Sequence, residues 1–242
     1  MILYEGPSAL DGAPIAVILT GANSARASRN AKTGDMLQTW IMRADIAPHH
    51  AVKSGADSSV CGACPHRPAL AGSCYVKTFQ APRSVWEAYR RGVYSHATPQ
   101  AIRDACEGRA VRFGAYGDPA AAPIGVWSEL ARWAATWTGY THQWRTAPLA
   151  LARYLMASAD SEAEGVLARA SGWRTFRVRE ASEPIGPREF VCPASEGAGK
   201  RTDCASCRAC GGTGAKAKAS PVIVAHGGTA RRFALTRQGV AA

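Results

Sequence analysis

Seven of the eight cysteines fall into two tight groups, and these groups are the clearest sign of chemistry in the chain. One group is Cys61, Cys64 and Cys74, and the other is Cys192, Cys204, Cys207 and Cys210. The sequence opens without a charged-then-apolar leader, so we expect the protein in a reducing cytoplasm, where disulfides are rare. Clustered thiols in such a compartment are typical of metal ligands.

The second group has the spacing Cys204-x2-Cys207-x2-Cys210, with Cys192-Pro193 upstream. A structural zinc usually takes two CxxC pairs from separate segments, each of which offers two thiolates at tetrahedral angles. Three thiols from one short loop plus a remote Cys-Pro are instead similar to the spacing of bacterial ferredoxins. We therefore predict a [4Fe–4S] cluster on these four cysteines, with Zn²⁺ as the alternative.

The first group, Cys61-x2-Cys64-x9-Cys74, supplies three thiols and needs a fourth ligand or an open position. Either His66 or the solitary Cys106 could complete a structural zinc site. If neither does, three cysteines leave one iron of a cluster free to bind S-adenosylmethionine. The CxxxCxxC motif of enzymes that use this cofactor is missing, which argues against that alternative.

The elements that must position these groups alternate between strand and helix from Ala110 onwards. Strand-like segments at 110–116, 138–144, 155–159, 173–179 and 190–191 are separated by turns and helices of about ten residues or fewer, and 14–22, 37–42 and 221–225 add further strands. This alternation predicts an α/β fold, either a partial (β/α) barrel or an open, mostly parallel sheet. We expect one domain over residues 1–230, with cysteine-rich insertions at about 49–78 and 192–214, and a loose basic tail over 231–242.

Helix starts are marked by capping signals. Ser84 and Glu87 have capping-box spacing, as do Ser161 and Glu164, and Thr98 precedes a proline at a first helical position. Residues 49–73 show no periodicity, so we expect a loop that a bound metal pins in place.

Polar residues follow the predicted strands at their carboxyl ends, where function collects in parallel α/β folds. Asp118 and His142 could act as acid and base, and Arg177 could clamp an anion. Ser158 and Asp160 are candidates for cofactor binding. The alternative is that Asp118 opens a helical turn and that Ser158 or Asp160 caps a helix.

Charge and hydropathy indicate the class of partner. The formal net charge is +11, and from Phe190 onwards eight basic residues face only two acidic ones. Such a field favours polyanions, of which nucleic acid or nucleotides are the commonest in a cytoplasm. The longest apolar run, Ile15 to Leu19, is far shorter than the roughly 20 residues that cross a bilayer, so no membrane partner is expected. Nothing in the sequence indicates a protein partner.

Several segments together resemble an uncharacterised cysteine-rich protein family of tailed bacteriophages. They are AKTGDMLQTWI, CGACPHRPALAGSCYV, AYGDPAAAP, GYTHQWR, LMASADS, GWRTFRVR and CPASEGAGKRTDCASCRACGG, and they span about residues 15–215. The order of strands and helices after a cysteine group is also distantly similar to the partial barrels of radical S-adenosylmethionine enzymes, at the level of architecture alone. The resemblance implies a phage protein in the host cell cytoplasm and specifies no reaction.

Three hypotheses follow. The first is an iron–sulfur enzyme that acts on nucleic acid or nucleotides, with its substrate near Asp118 and His142. The second is a non-catalytic, zinc-stabilised nucleic-acid-binding protein for phage replication or expression. The third is a host-directed interaction or inhibitor protein.

Overall fold

Nine strands form a single sheet in the computed structural model, which describes residues 1–25, 27–28 and 30–237. The strands are β1 (Ile2–Pro7), β2 (Pro14–Thr20), β3 (Met36–Arg43), β4 (Ala110–Tyr116), β5 (Thr136–Thr141), β6 (Met156–Ala159), β7 (Thr175–Arg179), β8 (Glu189–Val191) and β9 (Ser220–Val224). Their order is β1-β2-β3-β4-β5-β6-β7-β9-β8. The pairs β1–β2 and β2–β3 are antiparallel and all the others are parallel. The sheet does not close into a barrel, so the open form of the predicted α/β fold is confirmed.

Eight α-helices occur in the described part of the chain. They are α1 (Pro48–Ser54), α2 (Ser58–Cys61), α3 (Ala81–Arg90), α4 (Pro99–Cys106), α5 (Ile124–Trp133), α6 (Glu162–Ala170), α7 (Cys204–Cys207) and α8 (Ala230–Arg237). Short 3-10 turns occupy Pro68–Leu70, Pro119–Ala121, Leu149–Arg153, Glu196–Ala198 and Gly212–Gly214. None of the described helices is long and apolar enough to span a membrane.

The main core lies between the sheet and α4 and α5. β2 reads PIAVILT, and five consecutive residues of it are buried because both of its faces are covered. On β4, Phe113 packs against Trp127 of α5 with ring centroids 5.1 Å apart, and Leu130 is fully buried one turn further on. This packing directs Val111 and Phe113 to one face of the sheet and leaves Arg112 on the other.

A bulge in β4 adjusts this alternation near the carboxyl end of the strand. Gln38 of β3 pairs with Arg112, but Trp40 pairs with Tyr116, so β4 holds two extra residues between these pairs. Gly114 provides the left-handed backbone that the bulge needs, with φ +74°. Because the bulge adds an even number of residues, Tyr116 keeps the face of Arg112.

Helix caps agree with the sequence at two of the three predicted starts. The side chains of Thr98 and Ser161 accept hydrogen bonds from the amides of Ala101 and Glu164. The prediction at Ser84 is wrong, because α3 begins three residues earlier at Ala81 and its proline stands in the first turn.

Two stretches predicted as irregular contain helices. Residues 49–73 hold most of α1 and all of α2, and the predicted loose tail holds most of α8, whose Phe233 is buried. Residues 238–242 of that tail lie outside the described residues.

Candidate functional site

One face of the sheet carries both cysteine groups. Gln38, Arg112 and Thr138 are register partners on β3, β4 and β5, so their side chains project from the same face. The same alternation adds residues of β5, β6 and β7 to this face. We call it the site face, and its members are Gln38, Arg112, Tyr116, Thr138, Tyr140, Met156, Ser158 and Phe176.

The second cysteine group covers the middle of the site face. Cys192 follows β8, and its amide donates to the carbonyl of Val222 at 2.8 Å. Cys204 and Cys207 are the two ends of α7, whose N-cap Asp203 accepts from the amide of Ser206 at 2.8 Å. All four thiols line one small cavity over the sheet, together with Lys32, Thr138, Pro193, Ala194, Ala209, Pro221 and the rings of Tyr140 and Phe176.

A left-handed residue lets the short loop present three thiols to one cavity. Arg208 follows α7 with φ +59°, which reverses the chain so that Cys210 returns to the sheet. The carbonyl of Cys210 then accepts from the amide of Gly139 on β5 at 3.4 Å. Because backbone contacts fix both Cys192 and Cys210 to strands, the thiols converge although eighteen residues separate them in the sequence.

Burial and mutual proximity disfavour four thiolates in this cavity unless a cation joins them. Burial is the main factor that raises the pKa of Cys204 to about 11 and of Cys210 to about 12, and the neighbouring thiols of the group add to it. Lys32 and Arg112 oppose the increase at Cys204, and a hydrogen bond from Tyr140 opposes it at Cys210. A bound metal deprotonates coordinating thiols outright, so the cavity fits a metal centre chemically.

The first cysteine group lies at the carboxyl ends of β4 and β5, where Gln143 holds its CxxC turn. Gln143 is buried, and its side-chain oxygen accepts from the amide of Ala63 at 3.1 Å while its side-chain nitrogen donates to the carbonyl of Cys61 at 3.0 Å. Gly62 stands between these two contacts with φ +56°, and a Cβ there would come within 2.4 Å of the Gln143 amide. The turn therefore requires glycine for both its backbone and its close approach.

His142 is the imidazole that faces these thiols. It is hydrogen-bonded to Cys64 and lies within electrostatic reach of Cys74. Burial alone would lower the pKa of His142, but the Cys64 thiolate and Asp160 together raise it well above the usual value. Its Nε2 lies 3.6 Å from Oδ2 of Asp160. Three thiols and one imidazole would make a Cys3His donor set, with Asp160 as the group that orients the imidazole, but the only set of three metal-ligand atoms within 4.8 Å of one another among the described residues is that of His66, His142 and Asp160.

Asp118 positions His142 through the backbone. Its Oδ2 accepts from the amide of His142 at 2.9 Å, and its Oδ1 accepts from the amide of Ala120 at 2.9 Å. Asp118 thus opens the 3-10 turn Pro119–Ala121, as the alternative to an acid–base role predicted. The carboxylate is buried and its pKa is raised, since burial outweighs these hydrogen bonds.

His66, predicted as the fourth ligand, instead belongs to a second layer. Its Nδ1 lies 2.6 Å from the hydroxyl of Ser73, its Nε2 lies 2.8 Å from Oδ2 of Asp160, and Phe233 of α8 stacks on its ring at 5.5 Å. With both ring nitrogens engaged, His66 is not the imidazole that meets the thiols. His66, His142 and Asp160 themselves bring their ligand atoms within 4.8 Å of one another.

Tyr116 reaches the first group from the site face. Its hydroxyl is buried and has no hydrogen-bond partner among the residues described. Burial is the main cause that raises the pKa of Tyr116 well above its usual value, and the charge of Cys61 adds to it. A buried hydroxyl that faces thiols is satisfied when one of them becomes a thiolate acceptor, which is what metal binding produces.

The remaining predicted residues are not part of this cluster. Arg177 is on the opposite face of the sheet, fully buried and paired with both carboxylate oxygens of Glu189, so its guanidinium is not free to clamp an anion. Ser158 lies on the site face, where its carbonyl accepts from the indole of Trp144. Cys106 is buried in the main core near Arg109 and Glu129, away from both groups.

Gln143 and Tyr116 stand among the polar residues at the ends of predicted strands, but sequence reasoning gave neither of them a role. Arg112 was missed, because it lies in the middle of β4 rather than at its carboxyl end.

Comparison with protein-family models, curated protein sequences and solved structures returns no match. The function has to be argued from the residues of the site.

Proposed function

We propose that this chain is a metalloenzyme of phage type with two thiolate centres, which acts on nucleic acid or nucleotides in the cytoplasm of the host cell. The first centre uses Cys61, Cys64, Cys74 and His142. The second centre uses Cys192, Cys204, Cys207 and Cys210. The proposal places the reaction on the site face, between the two centres.

The observation that carries this proposal is the convergence of four thiols on one cavity. Cys192 and the Cys204–Cys210 loop come from different segments, yet all four residues line the same cavity. These cysteines are free thiols and form no disulfides. Burial raises the pKa of Cys204, Cys207 and Cys210, so these groups are thiols until a cation binds, and together with Cys192 they are the ligands that a metal would use.

The second centre is proposed as a [4Fe–4S] cluster, with zinc as the alternative. The compact Cys204-x2-Cys207-x2-Cys210 turn and the remote Cys192-Pro193 agree with cluster spacing. Lys32, which lines the cavity beside Cys204, offsets part of the negative charge of a four-thiolate centre. The first centre has the donor set of zinc, with Asp160 as the orienting carboxylate of His142.

Zinc bound by Cys61, Cys64, Cys74 and His142 would have four protein ligands and would therefore be a closed, structural site, whereas a cluster held by the second group would supply electron transfer. The residues of the chain then orient the reactants. Asp118 and Gln143 fix the backbone of His142 and of the CxxC turn, and Asp160 fixes the His142 ring. His66 lies 2.8 Å from the same Asp160 oxygen and so helps to hold this carboxylate in place.

A non-catalytic, zinc-stabilised nucleic-acid-binding protein is the second candidate, and one observation favours it. The second group ties distant segments together, since the amides of Cys204 and Ala205 donate to the carbonyls of Lys32 and Thr33 at 2.9 and 3.2 Å. A metal at this junction would stabilise the fold even without chemistry.

The experiment is purification without oxygen, followed by visible absorption and by iron, sulfide and zinc analysis. We expect a brown protein with iron and sulfide in the second centre. Cys207→Ser should lose that centre and keep the first, and Cys64→Ser should do the reverse. Cys106→Ala is the matched control, because Cys106 lies in the core away from both groups, and its metal content should equal that of the wild type.

Each part of the proposal has its own contrary outcome. A colourless protein with stoichiometric zinc refutes the cluster and favours the second candidate. Unchanged metal content in Cys207→Ser refutes the second centre. If Cys64→Ser empties both centres together, the division into two sites is wrong.

A further inference from the structure

Arg112 is a cation on the site face that forms no ion pair with a carboxylate in the described part of the chain. It stands in the middle of β4 between Gln38 and Thr138, and both of these neighbours are buried polar residues. Its guanidinium donates to the hydroxyl of Tyr75 at 3.2 Å. Within the described residues no carboxylate pairs with it, whereas the buried Arg177 on the opposite face is paired with Glu189. A half-buried guanidinium with most of its five donors unused is suited to receive an anion.

Arg112 lies between the two cysteine groups. Tyr75, to which it donates, directly follows Cys74 of the first group. Cys204 of the second group and Tyr140, which lines the same cavity, lie within electrostatic reach of the guanidinium. An anion bound at Arg112 would therefore lie between the proposed centres.

An exposed aromatic ring stands beside this cation. Tyr75 is 68% exposed although it is held by Arg112, and Phe79 nearby in the sequence is 60% exposed. An exposed aromatic next to a guanidinium is the arrangement that stacks a nucleobase and binds its phosphate. Simple carboxylate or sulfate ligands would make no use of the ring.

Further positive charge continues from Arg112 along the second group. Lys32 lines the cavity beside Cys204, whereas Lys200 is paired with Glu196 at 3.0 Å. A strand of phosphates leaving Arg112 would therefore pass Lys32.

We propose that Arg112 and Tyr75 form the subsite that binds a phosphate and its base, from a mononucleotide or from single-stranded nucleic acid. The inference rests on the proposed function and deepens it, because it names the substrate class and the point on the site face where the substrate binds. Arg112 holds the phosphate with its fork of N–H groups, and Tyr75 provides the stacking surface.

The test measures binding of AMP and of a 20-nucleotide single-stranded DNA to the anaerobically purified protein by fluorescence anisotropy competition, with metal content determined on the same samples. We expect Arg112→Gln to raise the Kd by roughly 10–100-fold with metal content unchanged, as for loss of charge-assisted hydrogen bonds. Arg112→Lys should give an intermediate Kd. Tyr75→Ala should weaken binding by roughly 5–100-fold and Tyr75→Phe by less than Tyr75→Ala, because stacking is kept. Preference for DNA over AMP identifies a strand as the ligand, and equal binding identifies a nucleotide.

The exposed Arg103 on α4 provides the matched control, since Arg103→Gln makes the same charge change away from the site face. Equal binding by Arg112→Gln, Tyr75→Ala and Arg103→Gln overturns the proposal, as does the absence of binding to both probes in the wild type. If Arg112→Gln loses the metal of the second group while Tyr75→Ala binds normally, Arg112 serves that centre and the subsite is refuted. A wild type without metal that still binds through Arg112 contradicts the proposed function alone.

Discussion

Replacing Gln143 tests whether an outer-shell amide organises the first centre. Gln143→Ala removes the acceptor for the amide of Ala63 and the donor to the carbonyl of Cys61, at 3.1 and 3.0 Å, and a longer contact to Asp118 at 3.4 Å. Both bonds are only partly buried, and each contributes about 0.5–1.5 kcal/mol net, so we expect a loss of roughly 1–3 kcal/mol in the free energy of unfolding. Because the CxxC turn loses its support, the affinity for metal should fall by about 10–100-fold.

Two measurements check this prediction: urea unfolding of the metal-loaded protein, and competition for the metal with a chelator. Gln143→Glu keeps the acceptor for Ala63 but places a carboxylate oxygen against the Cys61 carbonyl and Asp118, so it should destabilise at least as much as the alanine variant. Gln100→Ala is the control, since Gln100 bonds only its neighbour Asp104 on the exposed side of α4, and it should change stability by less than about 0.5 kcal/mol. Stability and metal affinity of Gln143→Ala equal to those of Gln100→Ala would refute the argument.

Two further predictions concern the frame around the site. The hydrogen bonds from Arg177 outweigh burial and lower the pKa of Glu189. The pair therefore stabilises the fold above the ordinary glutamate pKa of about 4.5, and this contribution should be lost as the pH falls below that value. Glu189→Gln should cost about 3 kcal/mol at pH 7 and flatten the pH dependence of urea unfolding below pH 5. Thr98→Ala removes the cap that accepts from the amide of Ala101 at 3.1 Å and should cost about 1 kcal/mol, with Thr236→Ala on the exposed side of α8 as the comparison in thermal unfolding.

The strands were the most predictable part of the fold, because each parallel strand leaves a short apolar signature. AVRFGAY became β4 with both of its predicted ends, and the strands at β5, β6, β7 and β9 lie within two or three residues of prediction. β1 was not predicted, since ILYEGP includes a glycine, a proline and an acid and its strand is formed by pairing at the sheet edge. The helices of 49–73 were missed because α1 and α2 bury few apolar residues and so show no periodicity.

The cysteines of the candidate site could be selected from spacing alone, but the histidine could not. His66 is two residues from Cys64, and local spacing therefore favoured it over His142, which lies 78 residues away. The chain reverses after Cys64, however, and the hydroxyl of Ser73 and the carboxylate of Asp160 engage the His66 ring. Ligand choice is decided by which imidazole the sheet presents to the thiols, and that depends on register.

The two cysteine groups share one face because the sheet is parallel and its other face is already covered. α4, α5 and α6 follow the crossover connections and occupy the face of Phe113 and Arg177, so the cysteine-rich segments, which have few apolar residues of their own, pack on the face that remains. Arg112 and Tyr116 are four residues apart and share this face, so Arg112 lies between the groups and Tyr116 lies beside Cys61. The bulge between them requires Gly114, whose φ is +74° and where a Cβ would come within 2.6 Å of the Gly117 carbonyl oxygen. Gly114→Ala should therefore disturb the end of β4 that carries Tyr116, and with it the first group, more than the second group.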